Sequence, residues 1–258
     1  MLVLAIESAT DAAAVAMADE NGTIVQSTLS RGRRHAETIA PAIEYCCATS
    51  GLALSQVDAV VVDVGPGLFT GLRVGVGTAK ALAYALERPV VALTSLEVLA
   101  RAVSQSIATG ATGGRDIRII PVLDARRGEV VSAEFRVPQG DLEGRTPGPV
   151  DRTGDELLQT PEALVAWLGG LGGARALDLV LVGDGAVRYE AFLRQVPNAR
   201  FAATWLASPP VGVLAAMGVE LARNGEFEDP LTLAARYVRH ADARINWETR
   251  APRQAAGR

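Results

Sequence analysis

Hydrophobic positions follow two alternating rhythms along the first half of this chain. LVLAIES, AAAVAMAD and TIVQSTL are three short apolar-rich runs. Glu20, Asn21 and Gly22 join the last two, a turn composition that predicts a hairpin and, with the first run, an antiparallel meander. Helical spacing follows over 35–49, then the strand pattern DAVVVDV, a Gly-rich loop and a second helical stretch over 70–86. Pro41 lies inside the first of these helices and predicts a kink. Arg88-Pro89 ends the second, PVVAL supplies another strand, and Thr94 with Glu97 predicts a capping box for a further helix.

The small residues at 108–114 predict a linker. Beyond it DIRIIPVLDA leads into a hairpin with GEVVSAEFRV, followed by a Pro/Gly-rich stretch up to Pro149. Thr160-Pro161 reads as the start of a helix, LDLVLVGDG as a strand entering a tight turn, and 186–195 as a helix. A last small-residue helix begins after Pro210, and the tail APRQAAGR is expected to fray. Two unequal α/β halves result: an N-terminal domain over 1–107, a smaller one over 115–224 whose last helix packs back on the first, and an extension over 225–258.

The longest helix-like segments face more than one way. In 70–86, Leu72, Val76, Ala79 and Ala83 mark one apolar seam and Val74, Thr78, Ala81 and Ala85 another, leaving Arg73, Lys80 and Tyr84 as a polar stripe. Over 35–49, Ile39, Ile43, Cys46 and Cys47 share a face, with Ala42, Tyr45 and Thr49 beside it. Helices apolar on most sides must be buried on most sides. The pair therefore predicts either half of a four-helix interface with a second subunit, built on Ile39, Ile43, Cys46, Cys47, Leu72, Val76, Ala79 and Ala83, or a larger internal core.

Composition narrows the class. At 258 residues, 49% hydrophobic and 21% charged, the chain is long and apolar enough to fold around a core. No apolar run approaches the roughly 20 residues of a membrane span, and the first residues read as a strand rather than a signal peptide, so a cytoplasmic protein is expected. Adjacent Cys46 and Cys47 indicate no disulfide framework. With a net charge of −4 and scattered arginines, any contact with nucleic acid is expected to need a partner.

The sharpest motif is GPGLFTGLRVG over 65–75, between a strand and a helix. Gly65, Gly67 and Gly71 could expose backbone amides at a helix start, where a phosphate would sit, or could serve a tight turn and close helix-to-strand packing. Both readings stand on spacing alone. Carboxylates at strand ends, Glu7, Asp63, Asp124 and Asp184, are where an α/β enzyme could hold magnesium or a base. His35 and His240 are the only histidines, too few for a multi-imidazole metal site.

VLAIESAT, the segment from His35 to Pro41, GPGLFTGLRVGVGTAKALA, PVVALTSLEVLA and DARRGEV together resemble the TsaB (YeaZ) family. The resemblance is nearly continuous to about residue 131 and thins past Pro138. It implies an actin-like, ribonuclease H-like α/β fold with two duplicated domains, the second reduced. It further implies a non-catalytic scaffold or activating subunit in tRNA threonylcarbamoyladenosine synthesis, paired with the paralogous catalytic subunit TsaD and the ATPase TsaE. Homodimerisation when alone and tRNA contact only through the complex follow from the same resemblance. No metal or cofactor of its own is implied, with a nucleotide allowed at the subunit boundary. The catalytic paralogue carries HxxxH where this chain reads HAETI, so Ile39 replaces the second histidine. Glu7 stands where the family has aspartate, leaving Glu7, Gly65, Gly67, Gly71 and Asp124 as a vestigial phosphate loop. The competing readings are a stand-alone small-molecule kinase or ATPase and a metallopeptidase.

Overall fold

The structure, a computed structural model, describes residues 1–108, 116–137, 150–171 and 177–237. Most of the expected linker at 108–114 and all of the tail at 251–258 lie outside these residues. The first half carries β1 (Val3–Glu7), β2 (Ala13–Asp19), β3 (Gly22–Leu29), α1 (His35–Ser50), β4 (Ala59–Asp63), α2 (Phe69–Leu86), β5 (Val90–Leu93) and α3 (Ser95–Ala108). The second carries β6 (Asp116–Arg126), β7 (Glu129–Ser132), β8 (Phe135–Arg136), β9 (Asp151–Arg152), β10 (Leu157–Gln159), α4 (Pro161–Leu171) and β11 (Leu177–Val182). It continues through α5 (Asp184–Arg188), α6 (Glu190–Leu193), β12 (Ala199–Phe201) and α7 (Val211–Arg223).

The first sheet has the order β3-β2-β1-β4-β5. Its meander is antiparallel, and β4 and β5 add in parallel. The second sheet repeats this plan with β10-β7-β6-β11-β12, again antiparallel on one side of the central strand and parallel on the other. Two copies of one ribonuclease H-like sheet make this the duplicated actin-like fold. The short pair β8 and β9 is added beside β6.

Strand alternation assigns the faces of the first sheet. Leu4, Ile6, Val15, Met17, Val60 and Val62 pack under α1 and α2. The opposite face is alanine-rich, with Ala5, Ala14, Ala16 and Ala18 beneath α7, which arrives from the far end of the chain. Small side chains let that helix sit close, to the point that a Cβ built on Gly218 would lie 2.3 Å from Val61. In the second sheet α3 covers one face through Leu96, Leu99 and Val103, while α4, α5 and α6 cover the other.

Two expectations change in detail. The helix expected over 186–195 breaks at Tyr189, where φ −105° and ψ 16° leave helical geometry, so α5 and α6 are separate short turns. Helix α1 runs on through Pro41, which lies on its exposed side. The predicted capping box is present: the Thr94 N–H donates to Glu97 Oε2 at 2.8 Å and the Glu97 N–H to Thr94 Oγ1 at 3.2 Å. Among the described residues no helix is long and apolar enough to cross a membrane.

Candidate functional site

The Gly-rich loop is pressed against the turn between β1 and β2. A Cβ on Gly67 would lie 2.2 Å from the Ala9 carbonyl oxygen, and one on Gly71 2.0 Å from that of Ser8. The Ser8 hydroxyl donates to the Gly71 carbonyl at 2.9 Å, and the Leu68 N–H to the Ala9 carbonyl at 2.6 Å. Close approach is therefore what these two glycines provide. Buried His35, at the start of α1, joins the same knot, its Nε2 lying 2.8 Å from the Thr10 carbonyl. Residue 39, one turn further, is an isoleucine only 1% exposed against the sheet.

Beneath the knot lie two carboxyl groups from adjacent parallel strands, Glu7 and Asp63, both 0% exposed. Glu7 Oε1 accepts from the Ala9 N–H, while Asp63 Oδ1 accepts from the Gly65 N–H and the Ser95 hydroxyl. The remaining oxygens, Glu7 Oε2 and Asp63 Oδ2, meet no amide or hydroxyl donor. Burial raises both pKa values, most strongly for Glu7, where the charge of Asp63 adds to it. Burial and the neighbouring Asp63 charge thus favour the neutral, protonated form of Glu7.

The sign of the pH dependence follows. A carboxyl whose folded pKa is raised contributes stability that is full below its unfolded pKa and is lost as pH rises through the folded one. Each unit of elevation is worth about 1.4 kcal/mol. Glu7→Gln, whose side chain is neutral at every pH, is therefore expected to raise the urea midpoint relative to wild type, and by more at pH 8 than at pH 5. An advantage that shrinks with rising pH would contradict a Glu7 carboxyl that burial keeps neutral. Asp184, raised to about 6 chiefly by burial, changes stability in the same sense over the range below pH 6.

Above the loop, Gly67, Leu68 and Phe69 face Asp124, Ala125 and Arg126 across a cleft of about 180 Å³, with Tyr237 on its wall. Of the expected phosphate-loop residues, the structure thus brings Gly67 and Asp124 to one cleft. Glu7, Gly65 and Gly71 are buried below it. Asp124 pairs with Arg126 at 2.9 Å and Arg188 at 3.4 Å, and Arg126 reaches across to Asp11 at 3.1 Å. The turn that carries Arg126 has positive φ at Arg126, Arg127 and Gly128, which aims it at the opposing lobe.

Residues 226–237 form a strap over the first lobe. Glu228 bridges to Val90 at the edge of β5, and Leu233 is buried in the core beneath α1 and α2. Lys80, the chain's sole lysine, donates to the carbonyls of Leu231 and Leu233 at 3.1 and 2.9 Å. The Arg236 N–H reaches the Val64 carbonyl at 2.7 Å, and Tyr237 packs on Phe69 with ring centres 5.0 Å apart. Arg73 covers the same Phe69 ring at 3.9 Å.

The expected interface residues need correction. Ile39, Ile43, Cys46, Leu72, Val76, Ala79 and Ala83 are buried within this chain, and Cys47 is half-buried. All but Leu72 belong to, or pack against, the core between these helices and the first sheet, which itself covers these seams. What stays outside is the opposite side: Ala36, Ala40 and Tyr45 on α1, and Gly77, Ala81 and Tyr84 on α2, with Tyr84 79% exposed. The second seam noted in the sequence, Ala81 and Ala85 among it, is the signal that marked this side. Among the described residues no three of His, Cys, Asp and Glu gather as a metal-ligating group.

Comparison with known proteins agrees with this architecture. The family model described as TsaD, tRNA N6-adenosine threonylcarbamoyltransferase, matches residues 21–247. The tRNA threonylcarbamoyladenosine biosynthesis protein TsaB of Escherichia coli K12 is 35% identical over 136 residues, covering 53% of this chain and 55% of that protein. The Bacillus subtilis 168 protein of the same name is 31% identical over 173 residues, covering 66% of this chain and 71% of its own. The solved structure of YeaZ from Pseudomonas aeruginosa superposes with a TM-score of 0.73 at 27% identity, over 92% of this chain and 99% of that one. A shared fold over nearly the full length, with sequence identity of this order to proteins of one name from distant bacteria, has a single reading: the chain belongs to the TsaB/YeaZ family.

Proposed function

We propose that this chain acts in threonylcarbamoyladenosine synthesis on tRNA as a cytoplasmic subunit without catalytic chemistry of its own. In this reading it pairs through the outer side of α1 and α2 with a TsaD-type catalytic paralogue and works with a TsaE-type ATPase. Alone, it pairs with a second copy through the same surface, and tRNA is engaged within the complex. No resident cofactor is assigned to it.

The observation that carries the reading is the composition of that outer side. Ala36, Ala40, Gly77 and Ala81 are small and uncharged, and with Tyr45 and Tyr84 they leave two adjacent helices without a cover among the described residues. Small residues allow two such helix pairs to approach closely, and the exposed tyrosines are the type of residue that anchors interfaces. The buried Ile39 at the second histidine position supports a packing role for α1.

Reconstitution tests it. Modified tRNA is scored with the TsaD-type and TsaE-type proteins and the upstream adenylate-forming enzyme, with and without this chain. Product is expected only when the chain is present. Equal product on omission would refute the role, and ATP turnover by the chain alone would favour a kinase.

A further inference from the structure

A separate hollow of about 610 Å³ lies where the β2–β3 ribbon meets the segment leading into α7. Gln26, Thr28 and Ser30, alternate residues of one strand and its continuation, line it together with Arg31. Alternation places these side chains on a sheet face, so the hollow does not present the hydrogen-bonding edge that a peptide strand would extend. Opposite stand Thr204 and Trp205. Within a protein of net charge −4, the described residues lining this hollow include one guanidinium and no carboxylate.

Trp205 is 68% exposed. An indole left in water forgoes the burial that usually holds tryptophan in a core. Its neighbour Leu206 is buried, so the short 3-10 turn Thr204–Ala207 is anchored and presents the ring outward. The floor is Pro209, Pro210 and Val211, where α7 begins without a side-chain cap. Uncapped amides and the helix dipole favour an anion there, and Arg31, which makes no ion pair among the described residues, adds a positive charge. A flat ring to stack on, hydroxyl and amide side chains, and a guanidinium with no acid beside it among the described lining residues are the elements of a nucleotide subsite.

We propose that this hollow binds a single-stranded nucleic-acid segment, with a base stacked on Trp205 and a phosphate held between Arg31 and the start of α7. The residues belong to neither α1 nor α2, so the inference is independent of the pairing surface described above. Single-stranded RNA and DNA share this chemistry, and a preference for RNA would come from the 2′-hydroxyl meeting Thr28, Ser30 or Thr204.

The test uses the full chain at low salt and a fluorescein-labelled short oligouridylate, followed by anisotropy, with the matching oligothymidylate as the second arm. Saturable binding is expected, with Trp205→Ala weakening it about tenfold and Trp205→Phe retaining most of it. Arg31→Ala is expected to weaken binding and to lower the slope of log affinity against log salt by about one. Unfolding midpoints of the variants should match wild type because the replaced side chains are exposed. Tighter binding of the ribose arm assigns the site to RNA, and equal binding assigns it to single strands in general. The proposal is overturned by the absence of saturable binding, by Trp205→Ala binding as wild type does, or by a proline-rich peptide displacing the oligonucleotide.

Discussion

Ala81→Arg is expected to abolish pairing with the TsaD-type partner while leaving the isolated chain as stable as wild type. Ala83→Arg, two residues along the same helix, is expected to unfold it. Residue 81 is on the exposed side of α2, where a substitution typically changes stability by within about 0.5 kcal/mol. An arginine there would stand where small side chains let two helix pairs meet, and a loss of at least about 100-fold in affinity is expected from an unmatched charge at an interface centre. Residue 83 is 1% exposed among the residues under α2, and an unpaired charge in such a place costs about 3–5 kcal/mol, before the added volume is counted. Co-elution and calorimetry read the first variant, and urea unfolding reads the second. If Ala81→Arg still binds with wild-type affinity, the outer side of α2 is not the contact surface.

Gly71→Ala is the other change with a large expected effect. The new methyl group would meet the carbonyl oxygen of Ser8 and the ring of His35, the first part of the backbone and the second buried in the same knot. Neither can move without shifting the β1–β2 turn from α2, so a loss of about 3 kcal/mol is expected, a large share of the total stability of a typical domain. The control is Gly77→Ala, six residues on, where nothing lies within 4 Å. There the substitution should stabilise the isolated chain by up to about 1 kcal/mol through helix propensity alone. Equal unfolding midpoints for the two variants would show that close packing is not what position 71 requires.

Local signals in the sequence carried far. The Asn21-Gly22 hairpin, the Thr94–Glu97 capping box and the strand at DAVVVDV are each decided within a few residues, and each forms as expected. The side of α2 that faces the sheet was harder to read. Seams through Leu72, Val76, Ala79 and Ala83 and through Val74, Thr78, Ala81 and Ala85 have the same spacing, and only the sheet beneath decides which is inside. Glu7 was visible as a carboxylate at a strand end, but its partner Asp63 is brought to it by the parallel register of β1 and β4. Trp205 gave no periodic signal, because its exposure is set by the anchoring of a single short turn. Lys80 is legible in the sequence only as part of a polar stripe, yet it clamps a segment about 150 residues away, a distance local pattern cannot span.

The covering of the alanine-rich face by α7, and of the β5 edge by the strap, bears on how the chain is made. A ribosome releases β1 to β5 long before it reaches α7 or Leu233. During that interval the nascent lobe exposes an apolar plane with nothing to lie against it, and segments in that state are prone to aggregate. Completion of the lobe must wait until α7 and the strap have been made, so arrest of translation before α7 should leave the emerged residues protease-sensitive and dependent on a holding chaperone.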